Sequence, residues 1–468
     1  MTDTAGKVAD YRPLAWIAAM AFFMQSLDAT ILNTALPAIS TSLGESALEM
    51  QMAVISYSLT VAAIIPLSGW AADRFGTLRV FQFAVFVFGL GSLACAMSSS
   101  LNMLIASRIL QGVGGALMMP VARLAIIRNV QKVHLISAWN LMATAGLIGP
   151  VLGPILGGWF VTNMTWHWIF FINIPIALLG IGIANKYMMN SYGELSRLDW
   201  IGFLLFASGL VALTFGLDVI AEDIAQKTKA FSLISSGIVL LVIYIFYASR
   251  VENALIPLSL WKVRTFSLGM LGNLFVRMAG SGVPFLLPLM LQIAFHYDAQ
   301  TAGFMIAPIA LSSILVKRIA TSLLHKFGYK KILIADAIFM TGAIATMSLF
   351  NETTSLWLYV PVTMWYGACM SLMFTAVNTL TISNLSDKQA SAGSTVLSMM
   401  QQVGIGFGIA LSSVILTLWR NNLGQEQAEL SQAFSNTFLV SSCFGVILAF
   451  IMSFLHKNDG DNLRQKTK

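Results

Sequence analysis

An all-helical, polytopic membrane protein is the fold class this sequence predicts, and two observations predict it. Hydrophobic residues fill 57% of the 468 positions against 10% charged, far below the roughly 25% charged of a soluble domain, and the mean hydropathy is +0.78. The apolar residues also fall into runs of bilayer-crossing length, separated by short polar clusters.

A helical crossing needs about 20 mostly apolar residues. Cutting the chain at its charged clusters gives fourteen: 14–36, 51–71, 80–98, 101–122, 135–158, 168–187, 200–217, 231–249, 267–292, 300–317, 331–350, 355–378, 392–418 and 433–455. Cytoplasmic segments should carry the excess of lysine and arginine. With the N-terminus inside, 22 of the 27 basic residues fall on the inside, Lys227, Lys229 and Arg420 fall outside, and Arg108 and Arg277 lie within spans. Merging or losing one span inverts half of this pattern, so fourteen spans with both N- and C-termini cytoplasmic are expected. The net charge of +7 is then a topology signal and not a nucleic-acid footprint. Cys95, Cys369 and Cys443 lie singly in apolar runs without ligand spacing, so neither a disulfide, a metal site nor another cofactor is expected.

The chain also repeats. Asp73-Arg74-Phe75-Gly76-Thr77-Leu78-Arg79-Val80 and His325-Lys326-Phe327-Gly328-Tyr329-Lys330-Lys331-Ile332 align at a constant offset of 252 residues, each after the second span of a proposed half. This predicts six plus two plus six: an N-terminal six-helix bundle over 1–190, a linker helix pair over 191–265, and a C-terminal six-helix bundle over 266–468. Two parallel halves form a transporter architecture with the substrate site at the midplane.

Ionisable groups inside spans single out the candidate site. Span 1 enters near Leu14, so Asp28 lies about 20 Å into a core roughly 30 Å thick. Span 4 runs the other way, and Arg108 lies about 10 Å from the outer face, at the same level. Unpaired charges there are costly, so an Asp28–Arg108 contact is expected. Burial favours the neutral acid while a nearby arginine favours the carboxylate, and a group under both influences can change protonation as the protein moves. Asn33, Gln111 and Arg277 are the expected substrate-cavity residues. Gly146, Gly149, Gly153 and Gly157 make one smooth face of span 5, and Pro150 and Pro154 each remove a backbone donor and bend it. Asp336 is expected to pair locally with Lys330 or Lys331. No nucleophile–base pair suggests an enzyme, and the histidines fall at predicted interfaces.

Four stretches resemble one family. Gly69-Trp70-Ala71-Ala72-Asp73-Arg74-Phe75-Gly76 is similar to the loop signature of the major facilitator superfamily, Arg108-Ile109-Leu110-Gln111-Gly112 to its embedded arginine motif, and Gly149-Pro150-Val151-Leu152-Gly153-Pro154 to its exporter motif. Leu27-Asp28, Thr30, Asn33 and Ala35-Leu36-Pro37 resemble the first-span signature of its fourteen-span drug:proton antiporters. The resemblance implies a proton-coupled efflux transporter of the bacterial inner membrane, working by alternating access. Its partners would be a small-molecule substrate, protons and the lipid bilayer, with a monomer as the transport unit. It implies proton coupling at Asp28 and Arg108, and conformational roles for Asp73, Arg74, Gly76, Gly149, Pro150, Gly153 and Pro154. The loop departs from the family pattern in placing Thr77-Leu78 before Arg79. Two arginines against one aspartate leave a second substrate class open, anionic metabolites or metal chelates such as small polycarboxylates.

Overall fold

The computed structural model describes residues 10–193, 198–222, 226–251, 254–423 and 427–463. Lys7, Arg197, Arg464, Lys466 and Lys468, counted among the inside charges, lie outside these. The chain forms two compact units, Met1–Leu198 and Asp199–Lys468.

The first unit holds α1 (Arg12–Leu43), α2 (Gln51–Ile64), α3 (Leu67–Phe75), α4 (Thr77–Ala96), α5 (Leu101–Asn129), α6 (Lys132–Asn163), α7 (Trp168–Phe171) and α8 (Asn173–Tyr187). Local chemistry sets their ends. Gly44, in the left-handed conformation at φ 74°, returns its N–H to the last carbonyls of α1. Ser100 caps α5 by accepting from the Met103 amide. Pro66 lacks the N–H that would continue α2, and α3 leaves the break at 58°. The main packing pairs are α1 with α6 and α4 with α5.

The second unit holds α9 (Trp200–Glu222), α10 (Lys227–Ala248), α11 (Arg264–Gly280), α12 (Val283–Leu289), α13 (Ala299–Phe327), α14 (Tyr329–Met347), α15 (Leu356–Ile382), α16 (Asp387–Leu423) and α17 (Gln427–Ser453). α9 and α10 pack together, and α9 also packs on α16, where Thr417 Oγ1 donates to the Ala221 carbonyl at 2.7 Å.

Helices occupy all fourteen predicted segments, but the crossing count differs from fourteen. Among the described residues, twelve helices are long and apolar enough to cross a bilayer, or thirteen crossings if the bent α2–α3 pair is one. The remaining helix, α14, crowds Lys330, Lys331 and Asp336 into 19 residues, which dilutes its apolar run. A second difference is that α13 continues to Phe327. Lys317 and Arg318, expected in a loop, therefore stand on the helix, both exposed.

The sequence repeat is a repeat of backbone conformation. Gly76 has φ 88° and ψ 150°, Gly328 has φ 82° and ψ 156°, and each opens the helix that follows. The aromatic before each glycine is equally exposed, Phe75 and Phe327 at 48%. This corner of conformational space is essentially reserved for glycine. At Gly76 a Cβ would in addition overlap the Asn190 amide. Gly76→Ala is expected to cost about 1–3 kcal/mol, read as a lowered thermal midpoint. Gly44→Asn, in open space and a conformation asparagine tolerates, should leave the midpoint unchanged.

Candidate functional site

Asp28 lies in the third quarter of α1 and is 1% exposed; Arg108, on α5, is also 1% exposed. The expected contact is present: Arg108 Nη1 lies 2.7 Å from Asp28 Oδ2. The guanidinium also donates through Nε to the Ala53 carbonyl on α2 at 3.0 Å and through Nη1 to Gln111 Oε1 at 2.5 Å. Its plane lies over the Tyr57 ring of α2, 4.4 Å from the centroid.

The other carboxylate oxygen is equally engaged. Asp28 Oδ1 accepts from Gln111 Nε2 at 2.7 Å and from Asn173 Nδ2, on α8, at 3.2 Å. Both amides also donate to Ser92 Oγ on α4, at 2.7 and 3.3 Å. The carboxylate binds side chains of α5 and α8 directly, and through Arg108, Gln111 and Asn173 the network reaches α2 and α4. Charge-assisted bonds of this kind are about twice as strong as neutral ones. They have no competing water to satisfy them once the site is dry. Change the charge on Asp28 and two amide donors and a cation are released together.

Gln111 is fully buried and engaged in this network. Asn33 is 7% exposed, with its Oδ1 unpartnered. Ser92, Asn173 and Tyr57 carry no signal in the sequence that marks them as partners of Asp28.

α6 packs on the same stretch of α1. Its Gly146, Gly149, Gly153 and Gly157 face Phe22, Ser26, Thr30 and Thr34 in turn, and a Cβ at any of the four would overlap that partner. At Gly149 it would also come within 2.7 Å of the Leu27 amide nitrogen. The helix stays continuous through Pro150 and Pro154. Beside this seam, α1, α6 and α8 enclose a groove of about 520 Å³ lined only by apolar side chains, among them Trp16, Met20, Phe23, Ile148 and Leu152.

The turn signature forms a second cluster. Asp73, at the end of α3, pairs with Arg128 at the end of α5 and so bridges two helix ends. Arg128 also donates to the Ser191 carbonyl at 3.3 Å, and Ser191 Oγ to Asn129 Oδ1 at 2.8 Å. Asn190 Oδ1 accepts from the Leu78 amide at 3.0 Å. The segment after α8 thereby straps the ends of α3, α4 and α5. Arg74 lies 5.7 Å from the Trp70 ring centroid.

In the second unit, Arg277 of α11 lies over Phe374 of α15, 3.7 Å from the ring centroid. Its Nε is buried with no hydrogen-bond partner. Gly404 and Gly408 of α16 pack directly against the Arg277 stem and carbonyl. Asp336 departs from expectation. It is 6% exposed and, among the described residues, in no ion pair, because Lys330 Nζ instead reaches the Leu455 carbonyl at 2.6 Å. Lysines five and six residues earlier point about 140° and 120° away round the helix.

The family model described as Major Facilitator Superfamily matches residues 18–409 and 269–467. "Probable transport protein HsrA" of Haemophilus influenzae is 56% identical over 455 residues, 97% of this chain and 98% of that one. "Putative multidrug resistance protein MdtD" of Cronobacter sakazakii is 39% identical over 438 residues, 93% and 92% of the two chains. Among solved structures, a D-xylose-proton symporter superposes with a TM-score of 0.70 at 14% identity, over 96% of this chain and 99% of that one. This last likeness bears on the fold alone.

Proposed function

We propose that this chain, which belongs to the Major Facilitator Superfamily, is a proton-coupled exporter of small amphipathic molecules. In this reading Asp28 carries the coupling proton. The observation that carries it is the single buried carboxylate at which Arg108, Gln111 and Asn173 converge. Ionised, Asp28 holds five helices in one arrangement. Protonated, it loses its claim on the Arg108 cation and the bundle can repack, so proton uptake and conformational change become one event. Export is proposed from the glycine-proline face of α6, which seats on the Asp28 stretch of α1, and from the multidrug-resistance name of the MdtD relative.

The fuller topology belongs to the same proposal. α1 to α8 form six spans, α9 and α10 a linker pair, and α11 to α17 six more, making fourteen in a bacterial inner membrane with both termini cytoplasmic and a monomer as the working unit. Asp73, Arg74 and Gly76 steady one state of the first six-span half, and Asn33 in the first unit and Arg277 in the second each contact substrate.

A second reading rests on one observation: the Arg277 guanidinium is stacked on an aromatic ring with a buried, unpartnered Nε. Desolvated cations of this kind seek an anion, which favours small polycarboxylates or their metal chelates as substrate. One experiment weighs both. Substrate-triggered proton movement is measured in proteoliposomes with cationic dyes and small polycarboxylates in parallel. Proton counterflow in the wild type that vanishes in Asp28→Asn is expected, and equal flux in both proteins would sink the coupling role. Arg277→Ala should spare a dye and abolish transport of an anion.

A further inference from the structure

Besides Asp28, the described residues bury Asp218 and Asp336. Asp336 lies on α14, about 10 Å along it from Tyr329. Its Oδ2 is sealed from solvent without a hydrogen-bond partner, and the carboxyl lies against the Cys369 thiol and the Met373 backbone of α15.

The helices packed against α14 are α13, α15 and α17, and none brings a cation to it. On α13, Lys317, Arg318, His325 and Lys326 are exposed. On α15 the titratable neighbours are Cys369, Tyr366, whose hydroxyl is committed to the Gly280 carbonyl at 2.7 Å, and Tyr359, which packs on Phe350. On α17, Cys443 is exposed and directed to the Leu439 carbonyl, and Glu429 stands in the first turn. On α14 itself Lys331 is exposed and Lys330 is held by Leu455. Among the described residues the ion pairs are Asp28–Arg108 and Asp73–Arg128, so Asp336 has none.

Helix packing does not require an acid there. Both α4 and α14 begin directly after their repeat glycine, so the offset of 252 residues carries along them unbroken. The position matching Asp336 is Ala84, fully buried in α4. A methyl group satisfies the packing at one site, and at the other stands a carboxyl with one oxygen unpartnered and no cation to balance a charge. A buried carboxylate without a cation is costly, and the group escapes the cost by taking a proton.

We propose that Asp336 is a second proton-binding site, in the second unit, occupied by a proton in this conformation. One O–H bond forms when the α14–α15 seam is closed and breaks, the proton returning to water, when the seam hydrates. The site is connected to the rest of the unit through α15. Met373 lies against Asp336, and the next residue, Phe374, is the platform under Arg277. A charge appearing on Asp336 would push on the helix that positions that guanidinium. The proton occupancy stands on its own; its use in transport rests on the exporter reading.

The test has two arms, both on the full-length protein. In nanodiscs at neutral pH, infrared spectra of wild type, Asp28→Asn, Asp336→Asn and Asp336→Ala are compared in light and heavy water. A protonated-carboxyl band that shifts on deuteration is expected in wild type and in Asp28→Asn and absent from both Asp336 variants. The alanine variant copies the packing of Ala84 and guards against misfolding of the asparagine. Spectra identical in wild type and both Asp336 variants would overturn the proposal. In proteoliposomes that show proton counterflow with a dye or a polycarboxylate, Asp336→Asn should move fewer protons per substrate. An unchanged count overturns the role in transport while leaving the Asp28 reading intact. Loss of counterflow in wild type itself fails the exporter reading, and the infrared arm still decides the proton.

Discussion

Replacing either Asp28 or Arg108 alone by leucine is expected to destabilise the first unit by about 3–5 kcal/mol, and replacing both together to cost far less than the two singles combined. The reason lies in what each single variant leaves behind. Asp28→Leu strands a guanidinium that is 1% exposed, with the Ala53 carbonyl, Gln111 Oε1 and the Tyr57 ring as its remaining company. Arg108→Leu strands a carboxylate, which can neutralise itself by taking a proton and should therefore be the milder of the two. The double variant buries no net charge, and its remaining cost is the unpaired amides of Gln111 and Asn173, about 1–3 kcal/mol each. The measurement is a double-mutant cycle on thermal midpoints of the purified protein. Additive losses would mean that the 2.7 Å contact contributes nothing as a pair. Transport should separate the variants further: Asp28→Asn keeps an acceptor for Arg108 and should fold, yet carry no proton.

The pair was legible because charge is so scarce in these spans. Counting 1.5 Å per residue from two opposite faces puts Asp28 and Arg108 at one depth, and a buried charge needs a partner. Gln111, expected to line the substrate cavity, stands one turn from Arg108 and bonds Asp28. Ser92, Asn173 and Tyr57 were not legible, since short polar and aromatic residues are ordinary in membrane helices and nothing in a linear chain says which face of α4 or α8 turns toward α1. The same blindness to rotation misplaced Asp336, where nearness in sequence to two lysines concealed that they point away from it. The strap of residues 190–193 over the Gly76 turn joins positions more than a hundred residues apart, beyond the reach of any periodicity. Depth, composition and repeat are properties of the string; azimuth is a property of packing.

The second large effect is expected at the seam of α1 and α6. Gly149→Ala and Gly153→Ala should each cut transport by roughly tenfold or more while costing about 1–3 kcal/mol of stability. Each added methyl meets α1 head on. At Gly149 it overlaps Ser26 Oγ and approaches the Leu27 nitrogen to 2.7 Å; at Gly153 it overlaps Thr30 Oγ1 and comes 3.1 Å from the Ile31 nitrogen. Side chains can rotate away, but backbone nitrogens of a helix cannot, so α6 must stand off from α1. Asp28 lies between these two contact points on α1, and a displaced α1 carries the carboxylate away from donors held on α4, α5 and α8. Bond lengths of 2.7 to 3.2 Å leave little room for such a shift, since hydrogen bonds weaken steeply with misalignment. Gly182→Ala on α8 is the control, because nothing lies within 4 Å of the Cβ it would add, and alanine is the better helix former by about 1 kcal/mol. The comparison is initial transport rate against thermal midpoint for the three variants. If the seam only packs, activity should track stability across all three. If the seam must slide for the pair to open and close, the two seam variants should lose far more rate than their midpoints account for, with Gly182→Ala unimpaired in both.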